Sequence, residues 1–284
     1  MPRDPGREAG KDTVTGPSGI AERELERNLE ESKQSEPRGG TIVIGTGRLG
    51  GSLGDALEGR GETVDCVGRG FDLGMLEGRL VLICVPDDEI PSVVERIASS
   101  AVAPSSVGHT SGATGLGVFD ALDVTDGTFS LHPLQTVPDP RTDLTGSPAA
   151  VAGSNDRAVV IARELADKLG LIPFEVADEV RALYHAAASV ASNYLVTLEQ
   201  EAAELLSRAG VEEPRRMLAP LVRRSLENWV ERGPEALTGP VARGDRATVE
   251  SHREAIALNA PELLELYDLM ARRTELLARG KVSG

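Results

Sequence analysis

Aromatic residues are scarce in this 284-residue chain, and their scarcity excludes one class of function. One tryptophan, three tyrosines and four phenylalanines are too few to form a stacking platform for single-stranded bases. Basic residues are also outnumbered, with 30 lysines and arginines against 45 acids and a net charge of −15. A chain this acidic repels the phosphates of nucleic acids and anionic lipids. We therefore expect neither nucleic acid nor a membrane surface as a partner.

Long apolar runs and cysteines are equally rare. The longest strongly apolar run, residues 80–85, is far shorter than the roughly 20 residues that a membrane-spanning helix needs. The N-terminus lacks the apolar segment of a secretory signal peptide. Cys66 and Cys84 each lie among strand-forming residues and are expected to be free thiols, and no Cys/His cluster has the spacing of a zinc site. These absences favour a cytoplasmic protein without a bound metal.

Secondary-structure signals divide the chain into three parts. Residues 1–38 are polar, charged and rich in glycine and proline, which is typical of a disordered tail. Over residues 39–177, short β-branched runs alternate with helical patterns, which predicts a doubly wound, mostly parallel α/β sheet. Residues 178–284 carry only helical patterns and begin with about 30 residues of continuous helix. The prediction is an α/β domain followed by an all-helical domain for the substrate and for dimerisation.

A glycine-rich turn follows the first predicted strand. Gly45, Gly47 and Gly50 form the pattern G-x-G-x-x-G between the strand "TIVI" and the helix "RLGGSLGDAL". In this setting the first glycine allows a tight turn, the second lets a pyrophosphate approach, and the third permits close packing of helix on strand. Free N–H groups at the helix N-terminus attract phosphate. The alternative is a tight turn that binds nothing.

The end of the second predicted strand distinguishes the two nicotinamide dinucleotides. An acid there binds the ribose 2′-hydroxyl of NAD, whereas an arginine accommodates the 2′-phosphate of NADP. Arg69 lies about 20 residues after Gly50, which is the usual distance, and Asp65 lies within the strand. We favour Arg69 and therefore NADP, with NAD as the alternative.

Six segments occur in an order that resembles a known protein family. They extend over roughly residues 40–280 and read "VIGTGRLG", "ICVPDDEI", "GHTSGATG", "FSLHPLQT", "YHAAASVASNY" and "LTGPVARGD". The family comprises Rossmann-like NADP-binding oxidoreductases with a C-terminal helical domain of unknown function. It belongs to the superfamily of 6-phosphogluconate and β-hydroxyacid dehydrogenases. The resemblance implies that the nicotinamide lies between the carboxyl edge of the sheet and the helical domain, and it implies no particular substrate.

The glycine pattern and the resemblance together give a set of cofactor-binding residues. The glycine loop would hold the pyrophosphate, Arg69 the 2′-phosphate, and the loop after the third strand the ribose and nicotinamide. The set is Gly45, Thr46, Gly47, Arg48, Leu49, Gly50, Arg69, Val85 and Pro86. Asp87 and Asp88 follow directly, and we expect one of them to cap the next helix.

Polar residues after the fourth and fifth strands are candidates for substrate chemistry. Ser111 and Gly112 stand where the relatives carry a serine in the substrate loop, and a hydroxyl with free backbone N–H groups can hold a substrate oxygen. Local turn bonding is the alternative, and His109 either contacts the substrate or supports this loop. His132 resembles the His-Pro histidine of prephenate dehydrogenases, which assists proton removal. Its reference pKa near 6.5 suits that role, although a strand-end histidine bonded to backbone is the alternative.

The long predicted helix carries a stripe of polar side chains. His185, Ser189 and Asn193 are spaced i, i+4 and i+8, so a regular α-helix places them on one face. In β-hydroxyacid dehydrogenases a lysine and an asparagine on the corresponding helix act on the substrate. This chain has no lysine there, and His185 is the candidate proton donor. Arg243 is a candidate clamp for a substrate carboxylate. The alternatives are close helix packing and a structural ion pair.

The sequence thus predicts an NAD(P)-dependent oxidoreductase that prefers NADP and transfers hydride to or from a C–OH or C–NH carbon of a small, carboxylated metabolite. The alternative is a non-catalytic NADP(H)-binding sensor or scaffold. An alanine- and leucine-rich helix suits a subunit interface, so we expect a homodimer. The predicted catalytic residues are His132, His185, Ser111 and Asn193, and the substrate-binding residues are Ser111, Gly112, Ser189 and Arg243.

Overall fold

The computed structural model describes residues 39–280, so the predicted tail at residues 1–38 lies outside the described residues. The chain divides into two compact units, of which the first ends at Ala188 and the second begins at Ser189. Within residues 39–280, no helix is both long enough and apolar enough to cross a membrane.

The first unit is built on a seven-stranded sheet in which one neighbouring pair, β5 and β6, is antiparallel and all others are parallel. The order is β2-β1-β3-β4-β5-β6-β7, which confirms the predicted doubly wound, mostly parallel sheet. The order in which strands are added reverses at β1, because β2 lies on one side of it and β3 on the other. Open α/β sheets bind ligands at such a switch point. The strands are β1 (Thr41–Ile44), β2 (Val64–Val67), β3 (Leu80–Ile83), β4 (Ser106–His109), β5 (Thr128–Pro133), β6 (Pro148–Gly153) and β7 (Ile172–Glu175).

Helices cover both faces of this sheet. Leu80 and Leu82 of β3 belong to a core with residues of the first and third helices, whereas Val81 and Ile83 belong to a core with the second helix. A strand buried on both faces explains the uninterrupted apolar run at β3. The helices are α1 (Arg48–Glu58), α2 (Ile90–Ala98) and α3 (Asp156–Lys168).

The starts of α2 and α3 differ in whether a side chain caps them. Asn155 caps α3, because its side chain accepts a hydrogen bond from the Ala158 N–H at 2.8 Å. The expected cap at Asp87 or Asp88 is wrong. A 3₁₀ turn at Asp87–Glu89 precedes α2, and neither segment has a side-chain cap. A proline in the first turn of α2 fixes the backbone there without needing the missing N–H.

The long predicted helix has an irregular centre. The segment consists of α4 (Arg181–Ser189), a π-helical turn (Val190–Tyr194) and α5 (Leu195–Arg208). The prediction of a helix over this region is right, but the prediction of regular spacing is not, because a π turn changes the angle per residue. The common face of His185, Ser189 and Asn193 therefore does not follow from α-helical spacing.

The second unit is helical throughout its described part apart from turns and short 3₁₀ segments. Its core includes Ile256, Ala260 and Leu263. Asp245 caps the helix that follows it, accepting a hydrogen bond from the Thr248 N–H at 3.1 Å. The glycine- and proline-containing residues 232–245 predict one long loop, but the structure has a short helix within them, so that prediction is wrong in part. The remaining helices are α6 (Pro214–Arg232), α7 (Gly239–Arg243), α8 (Arg246–Asn259) and α9 (Leu264–Ala278).

Candidate functional site

The three glycines of the loop between β1 and α1 have different surroundings. Gly45 has a φ of +117°, and a Cβ added there would collide with the Cys84 carbonyl oxygen. A Cβ on Gly50 would collide with the carbonyl oxygen of Gly45. By contrast, a Cβ on Gly47 would meet no atom within 4 Å. The fold itself requires Gly45 and Gly50, whereas Gly47 borders open space.

That open space is a cavity of about 600 Å³, within the usual size range of ligand sites. The N-terminus of α1 has no side-chain cap, so its first-turn N–H groups can bind an anion. Six predicted cofactor residues line the cavity, namely Gly45, Thr46, Gly47, Arg69, Val85 and Pro86. Arg48, Leu49 and Gly50, which were predicted with them, do not line it.

Two arginines and one acid define the charge of this cavity. The Arg69 side chain is 88% exposed and lies 2.6 Å from a carboxylate oxygen of Glu89. The Arg96 guanidinium lies 4.9 Å from the centre of the Phe71 ring, and both line the cavity. Asp65, the acid considered as an alternative to Arg69, instead pairs with Arg79 at 2.6 Å. Positive charge therefore predominates at the end of β2.

A second polar cluster lies beyond the ends of β4 and β5, around the buried Arg181. This side chain is 2% exposed and donates to Asp178 Oδ1 at 3.0 Å. It also donates to the Ser111 carbonyl oxygen at 3.3 Å and to Ser130 Oγ. The Asp178 carboxylate accepts a hydrogen bond from the Leu116 N–H at 3.1 Å. Arg181 therefore holds the predicted substrate loop, β5 and the start of α4 together.

His132 contacts the same loop and the same helix. Its Nδ1 lies 2.7 Å from Tyr184 Oη, and its ring meets the His185 ring edge-on with centres 5.7 Å apart. A Cβ on Gly112 would lie 2.8 Å from His132 Nε2 and would collide with His185 Nδ1. His185 Nδ1 is buried and has no hydrogen-bond partner within residues 39–280. Gly112 thus lets the loop backbone pack directly on both imidazoles.

The surroundings of His132 and Tyr184 keep these two side chains neutral at pH 7. Burial, together with His185 and Arg181, lowers the pKa of His132 to about 4, against an opposing effect of Asp87. Burial raises the pKa of Tyr184 to about 12, so the phenol keeps its proton at neutral pH. The cluster therefore joins a neutral imidazole to a neutral phenol by a short hydrogen bond.

Ser111 and His109 are both buried. Ser111 Oγ accepts hydrogen bonds from the Ala113 N–H at 3.1 Å and the Thr114 N–H at 2.9 Å. This is the local turn bonding considered as the alternative, and it leaves the hydroxyl hydrogen free to donate. His109 stacks on Phe119 with ring centres 5.2 Å apart, and burial and then Arg181 lower its pKa to about 4. His109 thus packs on Phe119 in the core, and whether it contacts a substrate or supports the loop stays a prediction.

The other predicted site residues belong to the second unit. Ser189 is partly buried at the end of α4, and Asn193 is exposed in the π turn. Arg243 is exposed at the end of α7, where its charge lowers the pKa of Asp245 after larger contributions from hydrogen bonds of Thr248. Their roles toward a substrate stay predictions.

Sequence reasoning missed Arg181 and Tyr184. Arg181 precedes His185 by four residues, so a regular helix places the two side chains on one face. The spacing of Asp178 and Arg181, three residues apart, was the available signal for an ion pair at the start of this helix. Nothing in the sequence alone indicated that this pair would be buried against Ser130.

Comparison with known proteins identifies two domain profiles and several similar folds. The chain matches a Rossmann-like domain over residues 74–133 and the domain of unknown function DUF2520 over residues 147–274. None of the curated proteins that were compared matches it.

Similar solved structures include BF3122 from Bacteroides fragilis, inferred to be an NADP oxidoreductase, at 22% identity and a TM-score of 0.70. That match covers 83% of this chain and 97% of the other. The protein TM1727 from Thermotoga maritima matches at 21% identity and 0.69, over 86% of this chain and 100% of the other. Pyrroline carboxylate reductase from Plasmodium falciparum, solved with NADP bound, matches at 11% identity and 0.54, over 86% and 100%. At these identities the likeness shows the fold.

Proposed function

We propose that this chain, which matches a Rossmann-like domain and a DUF2520 domain, is an NAD(P)-dependent oxidoreductase acting on a small molecule. The observation that carries the proposal is the glycine loop. The turn requires Gly45 and Gly50, while Gly47 borders a cavity beside an uncapped helix N-terminus. A dinucleotide pyrophosphate needs this combination of free N–H groups and an open backbone. When bound, the nicotinamide would supply or accept the hydride.

Thermal unfolding with NADP, NAD and neither ligand tests this proposal. A ligand present at about 100 times its Kd stabilises the folded state by about 2.7 kcal/mol, so binding raises the melting temperature measurably. The informative variant is Gly47→Asp. Its carboxylate would repel phosphate, and aspartate is a favoured residue at a helix N-cap, so α1 is expected to remain intact.

We expect Gly47→Asp to unfold at or above the wild-type temperature without ligand and to lose the ligand-induced shift. Gly47→Ser is the matched control, because serine also caps a helix but carries no charge, and it should keep part of the shift. A wild-type protein that is not stabilised by either dinucleotide at millimolar concentration would contradict the proposal. So would a Gly47→Asp variant that responds like wild type.

We further propose that the preferred cofactor is NADP. Arg69 and Arg96 line the cavity against the single acid Glu89, and Asp65 is engaged by Arg79. The Arg69–Glu89 pair is exposed on the arginine side, and such pairs contribute little to stability. A 2′-phosphate carries more charge than a carboxylate and can therefore displace Glu89 from the guanidinium.

Binding titrations of two variants test the cofactor preference. Arg69→Ala should weaken NADP binding about tenfold and leave NAD binding unchanged, because about 1.4 kcal/mol of charge-assisted bonding is lost for NADP alone. Glu89→Gln should strengthen NADP binding by releasing Arg69. An equal loss of affinity for NADP and NAD in Arg69→Ala would show that this side chain does not recognise the 2′-phosphate.

We propose that proton transfer takes place at His132. His132 Nε2 and His185 Nδ1 both lie against Gly112, and they have no hydrogen-bond partners within residues 39–280. The convergence of two imidazoles on the predicted substrate loop favours chemistry over a sensor role. The substrate would be a small metabolite with a C–OH or C–NH carbon and a carboxylate. Ser111 is a candidate to contact its oxygen. Two further candidates for binding the substrate are Ser189 and Arg243. Asn193 remains a candidate catalytic residue.

A metabolite screen that follows the absorbance of the reduced cofactor tests the enzymatic part. We expect at least one small hydroxy or amino acid to be turned over by wild type, and His132→Asn to lose most of that activity. Cofactor binding should persist in this variant, because His132 does not line the cavity beside the glycine loop. Turnover by His132→Asn at the wild-type rate would contradict the role of this side chain.

We propose that the protein is a homodimer joined through its second unit. Met217, Leu221, Trp229 and Val230 of α6 are each more than half exposed. A helix that exposes apolar residues on several sides usually packs against another surface, and a second copy of the chain supplies one. Sedimentation equilibrium should give twice the monomer mass, and Leu221→Glu should shift it toward the monomer. A monomeric wild type would contradict this.

We also propose a cytoplasmic location, because Cys66 and Cys84 are both free thiols in the first unit. Free thiols are typical of proteins in reducing compartments. Fractionation of cells that express the full chain, followed by detection of the protein, tests the location.

A further inference from the structure

The hydrogen bond between His132 and Tyr184 connects two groups that can each pass a proton. The 2.7 Å separation of His132 Nδ1 and Tyr184 Oη allows the bond to run in either direction, because both atoms can donate or accept. The other ring nitrogen, His132 Nε2, has no hydrogen-bond partner among residues 39–280. Tyr184 is only partly buried, so water can reach this side chain. The pair therefore has a ring nitrogen without a hydrogen-bond partner at His132 and a hydroxyl group on a partly exposed side chain at Tyr184.

Simple base catalysis by His132 would be unfavourable in this setting. A proton taken up at Nε2 would create an imidazolium beside the His185 ring and near the buried Arg181 guanidinium. The facing acid is Asp87, whose effect on His132 is smaller than those of burial, His185 and Arg181. A histidine that must move a proton here does so more easily if it never carries a net charge.

Building on the proposed oxidoreductase function, we infer that Tyr184 completes a proton relay in which His132 changes tautomer instead of becoming charged. In the resting state, His132 carries its proton on Nδ1 and donates it to Tyr184 Oη. His132 Nε2 takes the proton of a substrate hydroxyl, while Nδ1 gives its own proton to Tyr184 Oη. Tyr184 releases its original hydroxyl proton to water.

The relay conserves protons and charge on the protein. One proton leaves the substrate oxygen and one proton enters water, and a bound nicotinamide would accept the hydride from the substrate carbon. His132 and Tyr184 are neutral before and after the transfer, and only the direction of their hydrogen bond has reversed. In the reductive direction, the same steps run backward and deliver a proton from water to the substrate oxygen. Tyr184 acts through His132 and is therefore a positioning residue.

Nitrogen NMR of the histidine side chains tests the relay without cofactor or substrate. The chain has only four histidines, so a sample labelled with ¹⁵N-histidine gives a spectrum that single variants can assign. The absent signal in His132→Asn identifies His132. We expect wild type at pH 7 to show His132 predominantly protonated on Nδ1. In Tyr184→Phe the Nε2–H form should rise at least severalfold, because Nδ1–H loses its acceptor.

Tyr267→Phe is the matched control, because Tyr267 Oη makes the corresponding bond to His252 Nδ1 at 3.0 Å in the second unit. It should change the His252 signals and leave those of His132 as in wild type. The inference is overturned if wild-type His132 is protonated on Nε2, which can be read even if Tyr184→Phe does not fold. It is also overturned if folded Tyr184→Phe keeps the wild-type tautomer. A wild-type protein that binds neither NADP nor NAD would refute the oxidoreductase proposal. The relay is tested independently of that result, because these spectra are recorded without cofactor.

Discussion

Each unit of the molecule contains a histidine bonded to a tyrosine, and the two pairs differ in their surroundings more than in their geometry. The Nδ1–Oη distances are 2.7 Å for His132–Tyr184 and 3.0 Å for His252–Tyr267. Both pairs of rings meet edge-on, with centres 5.6 Å and 6.1 Å apart. His132 is partly buried and lies against a second imidazole, whereas His252 is exposed. The same bond therefore occurs in two different dielectric environments.

An arginine–aspartate ion pair stands beside each of these bonds, and it shows the same contrast. The side chain of Arg181, paired with Asp178 at 3.0 Å, is 2% exposed. Arg253, paired with Asp268 at 2.7 Å, is 37% exposed. Solvent screens the second pair, while the first exerts its charge through the protein interior. What distinguishes the candidate proton-transfer site is thus the buried charge around the histidine and not the histidine–tyrosine bond itself.

Removal of the buried arginine should have the largest effect. Arg181→Leu leaves the carboxylate of Asp178 without its partner and removes a donor from Ser130 and from the Ser111 carbonyl. Ser130 and Ser111 are both buried, and leaving such an acceptor without its donor typically costs about 1–3 kcal/mol. Urea unfolding should show this loss, and Arg253→Leu should lower the midpoint much less, because the Arg253 side chain is 37% exposed and solvent screens its ion pair. Equal losses of stability in Arg181→Leu and Arg253→Leu would show that burial of the arginine does not decide how much each ion pair contributes.

The contrast between the two histidine–tyrosine pairs also explains which features could be predicted from the sequence. β-Branched runs, glycine spacing and the Asn155 and Asp245 caps are local signals, and they predict the sheet, the glycine-rich turn and most helices. Two partners of Arg181, Ser130 and the Ser111 carbonyl, are 51 and 70 residues away along the chain, so no local pattern reveals them. The π turn was also missed, because its letters are those of an ordinary helix.

His132 and His252 were both visible in the sequence, yet only the fold distinguishes their environments. The tyrosines show the same limit. Tyr184 precedes His185 directly and pairs with a strand residue, whereas Tyr267 pairs with a residue of the neighbouring helix. Pairing across such distances depends on how the elements pack, which propensity and spacing do not encode.

Acid should destabilise the protein through His132. Burial, His185 and Arg181 lower the folded-state pKa of His132 to about 4, against an unfolded value near 6.5. The unfolded state therefore binds more protons as the pH falls from 6.5 to 4, and the folded state loses up to about 1.4 kcal/mol per pH unit from this group. His109 contributes in the same direction.

Chemical denaturation at several pH values measures this effect. His132→Asn should flatten the dependence of unfolding free energy on pH between 6.5 and 4 by about 1 kcal/mol per pH unit, because asparagine does not titrate. Above pH 6.5 both proteins should have a similar slope. If His132→Asn keeps the wild-type slope between pH 6.5 and 4, His132 is not held neutral by the fold.

The smallest expected effect is the coupling of each tyrosine hydroxyl to its histidine. Tyr184→Phe leaves His132 Nδ1 without a partner in a partly buried place, which typically costs about 1 kcal/mol, whereas the exposed His252 can bond to water after Tyr267→Phe. A double-mutant cycle isolates the bond from other losses. The cycle of Tyr184→Phe with His132→Asn should give a coupling near 1 kcal/mol, and that of Tyr267→Phe with His252→Asn a coupling near zero. Equal couplings would mean that the hydrogen bond has the same strength in both environments, and the difference between the pairs would then rest on Arg181 alone.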